Sequence, residues 1–326
     1  MAIHTDLPTA PFSAVPHDLE AEILRLKREM NAVILAHYYQ EDDIQDLADH
    51  VGDSLDLARC AAETQADVIV FCGVRFMAEG AKILNPSKTV LLPDMAAGCS
   101  LEDSCPPEAF AAFRAKHPNH LALTYINCSA AVKALSDIIV TSTNAEAIIR
   151  QIPPEQKILF APDRFLGAYL AKKTGRDMLL WQGSCIVHER FSERELVRLE
   201  TQHPAAHVIA HPECPEALLN HARHIGSTSS LLRYAREHDG TDFIVLTEPG
   251  ILHQMKKASP HSQFYGVPGM EAGGACFSCN NCPYMKLNTL EKIYLCMKNK
   301  SPRLELDAAL MERARKPLVR MLEMSR

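Results

Sequence analysis

The chain alternates short apolar runs with longer amphipathic stretches. The first stretch, Asp18–Met30, sets Leu19, Ile23, Leu26 and Met30 at helical spacing. The apolar run Ala32–Ala36 follows and ends in the polar segment His37-Tyr38-Tyr39-Gln40. A short continuous apolar run of this kind reads as a strand buried on both faces. Further runs lie at Val68–Phe71, Val90–Leu92, Leu121–Thr124, Ile158–Phe160, Met178–Trp181, Val208–Ala210, Phe243–Leu246 and Gln263–Val267. Helical stretches separate them. Strands alternating with helices predict an α/β fold whose parallel sheets are covered on both sides.

The pattern occurs three times. Each copy opens on a strand that ends in a polar group: His37 and Tyr39, then Tyr125 and Asn127, then His211 and Glu213. In each copy a hydroxyl follows 17 positions after the first of these, at Ser54, Ser142 and Thr228, where a helix is predicted to open. Each copy closes on a cysteine loop. Ser54 to Cys99 is 45 positions, Ser142 to Cys185 is 43, and Thr228 to Cys282 is 54, the surplus fitting the loop at Gly273-Gly274. Arg-Phe recurs at 75/76 and 164/165. Matched offsets mark an internal repeat. The expectation is three pseudo-threefold-related units, each a small parallel sheet in an αβα sandwich, around a central site. Their bounds are residues 30–115, 116–203 and 204–300. A lead-in and helix at 1–29 precede them, with Pro8, Pro11 and Pro16 in the loose part. A helical tail at 301–326, broken at Pro317, follows.

Composition narrows the function classes. The 326 residues are 47% hydrophobic and 23% charged, as in ordinary globular proteins. The net charge of −6, with no basic cluster, argues against nucleic acid as a partner. Neither a signal peptide nor a membrane span is read from the apolar runs. Eleven cysteines scattered along such a chain do not resemble a secreted disulfide framework. The expected setting is the cytoplasm, with most thiols reduced.

Three of those cysteines fall in Cys276-x-x-Cys279-x-x-Cys282-Pro. Thiolates this close suit an iron–sulfur cluster, a zinc site or a redox disulfide. The repeat singles out Cys99, Cys185 and one member of the triple. Three thiolates meeting on a pseudo-threefold axis would hold a cubane cluster and leave its fourth iron without a protein ligand. Cys60, Cys72, Cys105, Cys128, Cys214 and Cys296 are expected to pack as small apolar groups. The polar strand ends are expected at a binding site, since ligands of open α/β sheets lie beyond the carboxyl ends of the strands. Ser54, Ser142, Ser227 and Thr228 read either as N-caps or as anion-binding helix starts. Thr143 with Glu146 fits a capping box.

The motifs HYYQ at 37–40, GDS at 52–54, YIN at 125–127, HPE at 211–213, GSTS at 226–229 and CPYM at 282–285 resemble the quinolinate synthase family. The resemblance runs from about residue 20 to residue 300. It implies condensation of iminoaspartate with dihydroxyacetone phosphate to quinolinate, an NAD precursor, and functional coupling to L-aspartate oxidase. It implies a [4Fe–4S] cluster with one open iron, held by Cys99, Cys185 and Cys282. The choice of Cys282 rests on the Pro283-Tyr284-Met285 turn after it. Substrate contacts carried over are His37, Ser54, Tyr125, Asn127, Ser142, His211, Glu213 and Thr228, with Ser227 beside the last. Glu213 is the expected general base, with Tyr39, Tyr125, His37 and His211 moving or orienting protons. Cys276 and Cys279 match an upstream pair found in part of the family and are expected to form a nearby thiol pair. An aconitase-like hydro-lyase and a zinc-stabilised regulator are the rival readings.

Overall fold

The computed structural model describes residues 16–270, the backbone of 276–277, and residues 280–325. Three four-stranded parallel sheets form its frame. The first contains β1 (Ala32–His37), β2 (His50–Gly52), β3 (Val68–Cys72) and β4 (Thr89–Leu91) in the order β2-β1-β3-β4. The second contains β5 (His120–Tyr125), β6 (Ile138–Val140), β7 (Lys157–Ala161) and β8 (Met178–Leu180). The third contains β9 (His207–Ala210), β10 (His224–Ile225), β11 (Phe243–Leu246) and β12 (Phe264–Gly266). Their orders, β6-β5-β7-β8 and β10-β9-β11-β12, repeat that of the first sheet. The α/β fold read from the alternation is therefore observed, in three copies of one topology.

Both faces of each sheet are buried, which is why the strands read as continuous apolar runs. In the first sheet, Val33, Leu35, Ile69 and Phe71 pack to one side with Leu55, Leu57 and Phe76. Ile34, Ala36, Val70 and Cys72 pack to the other with Ile23, Leu26, Ile293 and Met297. The third sheet divides in the same way: Val208, Ala210, Ile244 and Leu246 face one cluster, Ile209, Phe243 and Val245 another. The period-two alternation of side chains thus serves two cores at once.

Three local expectations are corrected. Helix Ala308–Met324 runs through Pro317 without a break. Ala314, Leu318 and Met321 are buried in the core around it, so packing outweighs the lost backbone hydrogen bond. In the second unit the helix opens at Ala145, not at Ser142, and Asn144 precedes it. Glycines explain the difference from the other two units. A Cβ on Gly52 would lie 2.8 Å from the Asp56 Cβ, and one on Gly226 would lie 2.7 Å from the Ser230 Cβ. The glycines let the strand end abut the first helical turn, whereas the second unit has Val140 there and its helix starts later. Thr143 therefore forms no capping box; its hydroxyl bonds to Asp53 instead.

Among the described residues, no helix is long and apolar enough to cross a membrane.

Candidate active site

The carboxyl ends of the strands in all three sheets meet at one cavity of about 730 Å³, part of it open to solvent. From the first strand of each unit come His37 and Tyr39, Tyr125 and Asn127, and His211 and Glu213. From the turn after the second strand come Asp53 and Ser54, Thr141 and Ser142, and Thr228. The loops after the fourth strands supply Cys99, Cys185 and Cys282. Ser227 is the exception among the expected contacts. Its hydroxyl accepts from Ser230 N at 3.3 Å and caps helix Thr228–Glu237. Asp53 likewise caps helix Ser54–Glu63. Capping is thus carried by Asp53 and Ser227, and the neighbouring hydroxyls of Ser54 and Thr228 face the cavity.

The three cysteines share a local geometry. The carbonyls of Cys99, Cys185 and Cys282 accept from the amides of Asp103 (2.9 Å), Glu189 (2.9 Å) and Lys286 (3.3 Å), closing a helical turn after each. Burial pushes all three thiols up, Cys282 to about 11, while backbone N–H groups of the following turn oppose the shift. Those N–H donors are Leu101 and Glu102 for Cys99, His188 for Cys185, and Tyr284 and Met285 for Cys282. Turns whose amides face sulfur are suited to thiolates. Cys72, Cys105, Cys128, Cys214 and Cys296 are buried elsewhere, and Cys60 packs against the core. The donor set therefore fits a sulfur-ligated metal cofactor. Cys279 and the side chain of Cys276 lie outside the described residues.

Glu213 is the centre of the polar network. It is buried, yet Tyr125 donates to its Oε1 at 2.6 Å, and His188 Nδ1 lies 2.9 Å from its Oε2. Burial alone would raise this carboxyl. His188 beside it and the donated bonds outweigh burial and hold it below its usual range. Burial holds His37 down to about 4 and His211 down to about 3, so both rings are neutral at neutral pH. Burial, with the charge of Glu213 added, pushes Tyr39 and Tyr125 well above their usual range, so both phenols keep their protons. Thr247 links the two sides: its hydroxyl lies 2.7 Å from the Tyr39 oxygen and 3.0 Å from His188 Nε2. Donor atoms of Cys185, His188 and Glu213 all lie within 4.8 Å of one another.

Sequence reasoning passed over Asp53, Thr247 and Glu248 as site members. Thr247 and Glu248 follow the third strand of the third unit, a polar strand end like those noticed after the first strands. Glu248 is buried, and burial pushes its carboxyl up to about 7. It accepts from Cys282 N at 3.2 Å and so helps to hold the cysteine loop. Among the described residues, the cavity lining includes no Lys or Arg. Asn127 Oδ1 is buried there without a hydrogen-bond partner, an acceptor left for a ligand.

A family model described as "Quinolinate synthetase A protein" matches residues 21–323. The chain is 61% identical over 315 residues to a quinolinate synthase of Synechocystis sp., covering 97% of this chain and 98% of that one. It is 60% identical over 316 residues to that of Thermosynechococcus vestitus, covering 97% and 98%. With that of Synechococcus sp. the identity is 58% over 325 residues and both chains are fully covered. The motifs, the threefold cavity and this similarity over nearly the whole length agree: the chain belongs to the quinolinate synthase family.

Proposed function

We propose that this chain condenses iminoaspartate with dihydroxyacetone phosphate, giving quinolinate, phosphate and two waters. A [4Fe–4S] cluster held by Cys99, Cys185 and Cys282 is the proposed cofactor, with Cys276 and Cys279 outside the ligand set. The observation that carries the reading is the convergence of three thiols from matched loops on a cavity that also presents Glu213, Tyr39 and Tyr125. When bound, such a cluster supplies a Lewis-acidic iron that no protein ligand occupies and that can polarise a substrate hydroxyl.

The chain's own residues do the rest. Ser54, Ser142, Thr228 and Asn127 hold the two carboxylates and the phosphate. The N-termini of helices Ser54–Glu63 and Thr228–Glu237 add N–H groups and a positive dipole end. Neutral His37 and His211 orient substrate oxygens without fixing a positive charge. Glu213, kept ionised, takes the proton from the enamine carbon of iminoaspartate. The Tyr125 hydroxyl 2.6 Å away gives that proton a neighbour to move through. Tyr39, a neutral phenol held by Thr247, orients protons at the substrate. An imine hydrolyses in water, so coupling to L-aspartate oxidase as its source fits this chemistry. A cytoplasmic setting fits thiols that must stay reduced.

The test is turnover by anaerobically prepared protein with measured iron and sulfide. Quinolinate and phosphate should appear in equal amounts from the two substrates. Protein with a full cluster that makes no quinolinate, or that dehydrates citrate-type acids instead, overturns the proposal. Zinc in place of iron and sulfide would overturn the cofactor.

A further inference from the structure

We propose that Asp53 is a positioning residue that ties the three anion-receiving turns together through one carboxylate. The inference rests on the reading of Ser54, Ser142 and Thr228 as anion contacts. Asp53 is 4% exposed, and a buried carboxylate requires partners. It has four. Oδ1 accepts from Leu55 N at 2.9 Å and Asp56 N at 3.0 Å, within its own helix start. Oδ2 accepts from Thr143 Oγ1 at 2.5 Å and from Ser229 Oγ at 2.9 Å. Those two donors are 90 and 176 residues away, in the second and third units.

The placement of the donors gives the contact its meaning. Asp53 precedes Ser54, Thr143 follows Ser142, and Ser229 follows Thr228. Each turn thus contributes one hydroxyl to the cavity and one neighbouring residue to the lock. Thr143 and Ser229 do not line the cavity themselves. The three sheets share no strand pairing among the described residues, so side-chain links such as this one set the spacing between the turns together with the core that the first two units share. Ser229 Oγ also lies 2.9 Å from Asp56 Oδ2. Burial pushes the Asp56 carboxyl up, and the charge of Asp53 adds to the shift. A proton kept on Asp56 would serve Ser229 Oγ and leave the Ser229 proton for Asp53.

Capping alone would need only Oδ1. Serine caps a helix as well as aspartate does, but it has a single side-chain oxygen, whereas the amide of asparagine could donate to both hydroxyls. Asp53→Ser therefore separates the lock from the cap. Thr143 is exposed, so Thr143→Val leaves the core intact. The experiment uses anaerobic, cluster-loaded protein. Calorimetric binding of succinate and of inorganic phosphate is measured beside KM, kcat, iron content and melting temperature. Thr143→Val and Ser229→Ala should each weaken probe binding and raise KM about tenfold, with kcat within about twofold of the parent and iron unchanged. Thr143→Ser should restore the parent values. The double variant should resemble Asp53→Ser and fall short of the product of the single effects, because both donors act through one carboxylate. Variants that melt earlier but bind the probes as the parent does would reduce the contact to a structural one and overturn the proposal. A parent that makes quinolinate yet binds neither probe would overturn it as well. Probe binding with the expected variant pattern, but no quinolinate from loaded protein, would leave the lock standing and remove the proposed reaction instead.

Discussion

The thiol end and the hydroxyl end of the cavity are held by different means. Each cysteine is followed by a helical turn that its own carbonyl closes, and the amides of that turn face its sulfur. The hydroxyls of Ser54, Ser142 and Thr228 sit on turns tied to one another across units through Asp53. Both ends are linked across units, but at the thiol end the links are pairwise, Ser100 Oγ accepting from Ile186 N at 3.1 Å and Tyr284 donating to Asp103 Oδ2 at 3.3 Å, whereas at the hydroxyl end one buried carboxylate serves all three units. A metal site can rest on such pairwise links because the cofactor itself adds links between its ligands. On the proposed reading the hydroxyl end receives small anions, which cannot bridge three turns before they bind, so the protein must set the spacing in advance.

The largest expected effect breaks the thiol end. Replacing Cys185 by Ala should abolish both iron–sulfur content and activity, since two thiolates do not hold a cubane. Anaerobic iron and sulfide analysis checks this, and a full cluster on that variant would refute the ligand set. Next comes the acid between the two ends. Glu213→Gln should lower kcat roughly 10²- to 10⁴-fold while iron content stays at the parent level. Steady-state kinetics beside metal analysis separate that loss from a cofactor defect.

At the hydroxyl end, two adjacent residues should behave differently. Thr228→Val should weaken anion binding about tenfold with little change in melting temperature. Ser227→Ala should cost about 1 kcal/mol of stability through its cap and leave affinity near that of the parent. Paired melting and binding curves test the contrast, and identical profiles would erase it. The smallest effect concerns pH. Burial holds His37 and His211 well below the usual histidine value in the folded state, to about 4 and 3. The unfolded chain therefore binds more protons than the folded one below about pH 6.5. The stability these rings allow is present above that pH and should fall as pH drops toward 4. His37→Gln should flatten the slope of melting temperature against pH over that window.

Much of this protein was legible from local pattern. Continuous apolar runs such as Ile34–Ala36 specify strands buried on both faces because every side chain must find a core. The repeat offsets brought His37, Tyr125 and His211 to equivalent strand ends, and with them Ser54, Ser142 and Thr228, because one topology recurs three times. The cysteine loops were legible for the same reason. Tertiary structure decided what each polar group does. A serine before a helix reads alike whether it caps or binds, and only the fold assigned the cap to Ser227 and the cavity to Thr228. Pro317 reads as a helix break, yet the burial of Leu318 and Met321 carries the helix through it. Asp53, Thr247 and Glu248 were not read as site members, because the partners that place them there lie far along the chain. Local propensity and repeat period act over a few residues or one unit. Hydrogen bonds between units, and the burial that shifts protons at Glu213 and the histidines, exist only once the three sheets share one cavity.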